Sequence, residues 1–149
     1  LWLVSGGIAL GLALDASGLA ERLINAIPFD TLPALLIIVA VTIVAMVMAN
    51  FMSNTATANL LLPLVAALGM SIDSLNKFGG AQMIILGVTF ACSMGMALPI
   101  STPPNALAFG TGQIETKDMA KQGVIIALVG LLLTYVLLYV MDLLNFFTH

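Results

Sequence analysis

Ala49-Asn50-Phe51-Met52-Ser53-Asn54-Thr55-Ala56-Thr57 decides the fold, because it places a polar cluster in the middle of a stretch, Thr31 to Ile72, that carries no charged residue. Pro28 and Pro33 mark the entry to this stretch. The apolar arm before the cluster, about Leu35 to Met52, is long enough to cross hydrocarbon at about 1.5 Å per residue. The arm after it, about Ala56 to Ala67, is too short to span. The pattern predicts a re-entrant helical hairpin over residues 31–72, which dips into a bilayer, turns at the polar cluster and returns.

Composition agrees. Of 149 residues, 61% are hydrophobic and 7% charged, with a mean hydropathy of +1.16, against roughly a quarter charged in soluble domains. This predicts an all-α integral membrane chain in contact with lipid, with room for about four or five crossings. Residues 1–30 read as a transmembrane helix and interfacial arm, with Gly6, Gly7 and Gly11 forming a small-residue face. Leu1 opens inside an apolar run without a basic flank, so the start reads as truncated and not as a secretory signal. Residues 82–112 read as a discontinuous transmembrane helix, interrupted at Pro99-Ile100-Ser101-Thr102-Pro103-Pro104-Asn105. Residues 119–147 read as the last spanning helix, with Tyr135, Tyr139, Phe146 and Phe147 in packing and interfacial roles.

The net charge of −3 comes from few groups, and no basic cluster tracks a phosphate backbone, which excludes nucleic acid as a partner. A lone thiol, Cys92, excludes an internal disulfide and reads as packing material. Basic residues do not fix orientation: Lys117 and Lys121 oppose Arg22 and Lys77.

Non-helical backbone at membrane depth survives only where protein or a hydrated cavity surrounds it, so two interruptions in one short chain imply a site. A helix that ends there exposes carbonyls suited to a cation, and one that begins there exposes amides suited to an anion. At the second interruption Pro103 and Pro104 lack amide hydrogens, which leaves the carbonyls of Pro99 and Ile100 free for a hard cation. Ser101 or Thr102 caps the helix that follows, whose amides are then open to an anion. No Lys or Arg lies between Thr31 and Asn76 or between Phe78 and Thr116. An anionic substrate would therefore need co-bound cations. Ser, Thr and Asn in membrane helices often only bond a neighbouring helix, but two clusters that both fall at helix interruptions favour a binding site.

Ser53-Asn54-Thr55-Ala56-Thr57, followed by Leu60-Leu61-Leu62-Pro63, and the later Ser101-Thr102-Pro103-Pro104-Asn105-Ala106 resemble the divalent anion:sodium symporter family over essentially the whole chain. The resemblance implies the second of two inverted repeats of an elevator-type transporter, with the amino-terminal repeat missing from this sequence. It implies sodium-coupled symport of small di- or tricarboxylates such as succinate, malate, fumarate or citrate. It implies sodium, as the co-transported ion, held by oxygens of Ala49, Met52, Asn54 and Ser101, and a carboxylate substrate held by Asn54, Thr55, Thr102 and Pro103. The resemblance leads one to expect an acidic residue in many relatives where Asn50 stands here. A homodimer in the plasma membrane is further implied, multi-pass and in the bacterial inner membrane, with Lys117 and Lys121 cytoplasmic and the first segment in a fixed scaffold.

Two alternatives stand beside this within transport. Proton coupling or anion exchange is disfavoured, since neither interruption holds Asp, Glu or His. A non-transporting structural half is the other. An enzyme is excluded because nothing places a base beside Ser53; Asp15 and His149 are remote in sequence.

Overall fold

The computed structural model describes residues 33–72, 75, 79–144, 146 and 147, with isolated positions 9, 13, 16, 17 and 22. The first segment, its interfacial arm and the charged turn around Asp73 and Lys77 lie outside the described residues, as does His149. Five α-helices form the described part: α1 Ala34–Phe51, α2 Asn54–Ser71, α3 Gly80–Ser93, α4 Pro103–Gly110 and α5 Thr116–Leu143.

Helix α1 starts at Pro33, an extended residue whose ring fixes φ at −63° and directs the chain into the first turn. Its 18 residues carry no charge and only Thr42 and Asn50 among them are polar, so it has no solvent face. Helix α2 also has 18 residues, with Pro63 inside it. At about 1.5 Å per residue both are about 27 Å long, so the second arm is not the short one expected from Ala56 to Ala67. The difference lies at both ends: Asn54, Thr55 and Ala56 form the first turn of α2, and the helix continues through Leu68 and Gly69.

The two helices run antiparallel. Ala40, Val41 and Val44 of α1 face Leu61, Val65 and Leu68 of α2 across a groove of about 200 Å³. Helix α3 is central and contacts α1, α2 and α5. Its Ile84, Val88 and Ala91 are fully buried against Ile37, Val65 and Leu138 of the surrounding core. The approach to α3 begins at Gly79, whose φ of +74° suits a residue without Cβ and whose Cα faces the Phe147 ring.

One polar bridge joins α1 to α5. The Thr42 hydroxyl directs its hydrogen to the Ile38 carbonyl at 2.7 Å, so the Tyr135 hydroxyl, also at 2.7 Å, donates to Thr42 Oγ1. Thr42 is fully buried, and this bond gives the phenol a partner inside an apolar bundle. Tyr139 is exposed.

Helices α1 and α5 are long and apolar enough to cross a membrane. Leu128, Leu132, Leu133 and Val136 of α5 are exposed, as are Leu35, Val44 and Phe51 of α1. Such apolar outer faces belong against lipid or further protein.

Candidate functional site

The chain leaves helical geometry first at Met52 and Ser53. The Met52 amide still donates to the Met48 carbonyl at 3.0 Å, but Met52 itself is extended, with ψ of 173°. Among the described residues, the carbonyls of Ala49, Phe51 and Met52 have no donor. Ser53 caps α2: its Oγ accepts the Ala56 amide at 3.1 Å, and its carbonyl accepts the Thr57 amide at 2.9 Å. The amides of Asn54 and Thr55, in the first turn of α2, have no acceptor among the described residues, and neither has the Ser53 amide before them.

The second interruption is longer than expected. Helix α3 ends at Ser93, and α4 does not begin until Pro103. The Met94 amide turns back to the Ala91 carbonyl at 3.1 Å, and the Gly95 amide to the Cys92 carbonyl at 3.3 Å. Pro99 explains why the helix cannot pass this point, since it has no amide hydrogen for the Gly95 carbonyl four residues earlier. The carbonyls of Pro99 and Ile100 lack donors among the described residues, as expected. The reason is different, because these residues already lie outside a helix and Pro103 and Pro104 withhold nothing from them.

Thr102 is the cap of α4, with its Oγ1 accepting the Asn105 amide at 3.3 Å. Asn105 in turn donates through Nδ2 to the carbonyls of Met96, at 2.7 Å, and Leu98, at 3.2 Å. The expectation of open amides at this helix start is corrected: Pro103 and Pro104 carry none, and the next one is capped. Open amides lie instead at the start of α2.

The two interruptions meet. A Cβ on Gly95 would stand 2.8 Å from the Ala49 carbonyl oxygen, so only glycine allows this approach of backbones. The Asn54 carboxamide satisfies its surroundings when its nitrogen donates to the carbonyls of Gly95, at 3.0 Å, and Cys92, at 3.1 Å; turned over, the nitrogen reaches only the Ser93 carbonyl at 3.5 Å. Asn54 therefore takes the carbonyl that Pro99 leaves open. Ser101, 1% exposed, donates to the Asn50 carbonyl at 2.8 Å, and the Ala97 amide donates to Asn50 Oδ1 at 2.8 Å.

Of the residues expected to hold a cation, Ala49, Asn54 and Ser101 come together around this junction, while Met52 is 40% exposed beside it. Of those expected to hold substrate, Thr55 and Pro103 are exposed and Thr102 half-buried. Asn50, Gly95, Ala97 and Asn105 were not expected as site residues. A polar Asn in the last turn of an otherwise apolar helix, and a glycine four residues before a proline, are the sequence signals that point to them. Among the described residues no three His, Cys, Asp or Glu side chains cluster. The oxygens offered here come from carbonyls, hydroxyls and carboxamides, which suit a hard monovalent or divalent cation. A groove of about 290 Å³, lined by Met46, Asn50, Phe51, Ala97 and Leu98, opens beside the junction.

Helix ends that face one another within an apolar chain are the arrangement that membrane transport proteins with discontinuous helices use. The sodium:sulfate symporter transmembrane region matches residues 1–144, and the chain belongs to this family of divalent anion:sodium symporters. It is similar to the Protein I'm not dead yet of Drosophila melanogaster, 38% identical over 83% of this chain and 20% of that protein. It is 34% identical to the Na(+)/dicarboxylate cotransporter 3 of Rattus norvegicus over 88% of this chain and 21% of the relative. The sodium-dependent dicarboxylate transporter SdcS of Staphylococcus saprophyticus is 31% identical over 93% of this chain and 26% of its own length. The chain thus spans about a fifth to a quarter of the length of these relatives.

Proposed function

We propose that this chain forms one half of a sodium-coupled pathway for small di- or tricarboxylates such as succinate, malate, fumarate or citrate. The observation that carries the reading is the junction of the two interruptions, where donor-free carbonyls and the open amides of Asn54 and Thr55 lie on stretches of the chain that hold no Lys or Arg. Sodium is cargo here. Oxygens of Ala49, Met52, Asn54 and Ser101 replace its hydration shell, and its charge draws in the substrate carboxylate. The amides of Asn54 and Thr55 meet that carboxylate with the partial positive charge of a helix start, and Thr102 and Pro103 line the opposite wall.

In this reading α1 and α2 are the arms of a re-entrant hairpin, and α3 and α4 the halves of a broken transmembrane helix. Both move together in an elevator step against a scaffold that includes the first segment. A second, inverted repeat supplies the remaining contacts, and the working unit is a homodimer in the plasma membrane, the bacterial inner membrane in a bacterium. The names of the relatives, a dicarboxylate cotransporter and a dicarboxylate transporter, support dicarboxylate as substrate.

The test is uptake of labelled succinate by the complete gene product in proteoliposomes, with an inward sodium gradient or with choline replacing sodium. Uptake is expected only with sodium, and Asn54→Ala is expected to abolish it while assembly is unchanged. Equal uptake in choline, or full activity of Asn54→Ala, would overturn the proposal.

A further inference from the structure

We infer that Asn50 is a positioning residue for the cation site and that α5 holds this arrangement in place through Gly123; the inference rests on the sodium-coupled reading above. Asn50 sits in the last turn of α1, and three of its atoms are engaged. Its Oδ1 accepts the Ala97 amide at 2.8 Å, and its Nδ2 donates to the Met46 carbonyl at 2.8 Å, which fixes the carboxamide plane. Its main-chain carbonyl accepts the Ser101 hydroxyl at 2.8 Å. Asn50 acts through its neighbours: Ala49 precedes it in the chain, and Ser101 hangs from its carbonyl.

The far side of Ala97 is closed by α5. A Cβ on Gly123 would stand 2.5 Å from Ala97 Cα, 2.8 Å from the Met96 carbonyl oxygen and 2.9 Å from the Ala97 nitrogen. No side chain fits there without displacing backbone. The Met96–Ala97 segment is therefore clasped between the Asn50 carboxamide and the backbone of α5. Removing the carboxamide releases the segment on one side, and adding a methyl group at Gly123 pushes it from the other. Either change moves the loop that carries Ser101 relative to Ala49. Asparagine is the residue that combines an acceptor for Ala97 with a donor for Met46 at this reach; aspartate keeps the acceptor and loses the donor.

The experiment uses the complete gene product in proteoliposomes, with sodium titrated at fixed succinate and succinate titrated at saturating sodium. Asn50→Ala and Gly123→Ala are expected to raise the half-saturating sodium concentration by about fivefold to tenfold, the equivalent of one lost hydrogen bond. The succinate KM at saturating sodium is expected to change little, and the rise in melting temperature on adding sodium to shrink. Asn50→Asp is expected to fall between wild type and Asn50→Ala. Gly110→Ala serves as the control, since a Cβ there meets nothing within 4 Å. Unchanged half-saturating sodium in either Asn50→Ala or Gly123→Ala, or a loss of turnover with unaltered sodium dependence, overturns the inference. If one variant does not fold, the other together with Asn50→Asp decides it. Wild-type uptake that ignores sodium would instead sink the transport reading, and this inference with it.

Discussion

At Ser53 a single hydroxyl separates one helix from the next. Its oxygen takes the Ala56 amide at 3.1 Å, and its carbonyl takes the Thr57 amide at 2.9 Å and the Thr57 hydroxyl at 3.2 Å. Replacing Ser53 by Ala removes the side-chain acceptor and adds the Ala56 amide to those already open at this helix start. The expected cost is about 1 kcal/mol, typical of a lost N-cap. It should appear as a lower apparent melting temperature of the purified protein, with Ser53→Thr close to wild type. A melting temperature unmoved by Ser53→Ala would show that another group takes over the cap. Asn54 and Ser101 were legible in the sequence because polar residues in an uncharged apolar run need partners. The role of Asn50 was not, since its partner Ala97 lies 47 residues away and no local pattern links the two.

Elements were less legible at their ends than in their existence. Ser53 to Thr57 reads as a polar turn, yet Asn54, Thr55, Ala56 and Thr57 are helical, because the Ser53 cap and the back-bonded Thr57 hydroxyl satisfy the groups that polar side chains would otherwise compete for. Met94, Met96, Ala97 and Leu98 read as helix on propensity. They are irregular because Pro99 denies Gly95 its donor and because Asn50, Asn54 and Asn105 offer these peptide groups alternative partners. Between elements, the Thr42–Tyr135 bond fastens α1 to α5 at 2.7 Å. Thr42→Val, Tyr135→Phe and the double variant form a thermodynamic cycle. The expected coupling is about 0.6 to 1 kcal/mol, the usual worth of a polar contact between membrane helices, read from unfolding of the complete gene product in bicelles. Strict additivity of the two single changes would show that the bond contributes nothing to holding these helices together.

On the scale of the whole molecule, much of the described outer surface is apolar, while the junction offers carbonyl, hydroxyl and carboxamide oxygens and the open amides of Asn54 and Thr55, on stretches without Lys or Arg. A dicarboxylate brought to that junction carries two negative charges. A helix start returns about half an elementary charge, and each uncompensated charge in such surroundings costs several kcal/mol. On the proposed sodium-coupled reading, one sodium ion leaves a negative balance that the residues of this chain do not offset, so that reading expects more than one. Uptake by the complete gene product should rise sigmoidally with sodium concentration, with a Hill coefficient of about 2 or more on this charge balance. The same balance predicts that raising sodium lowers the succinate KM, because the ions create the field that the substrate enters, and linkage makes the effect mutual. A hyperbolic sodium curve, or a succinate KM indifferent to sodium, would mean that positive charge reaches the site from elsewhere in the protein.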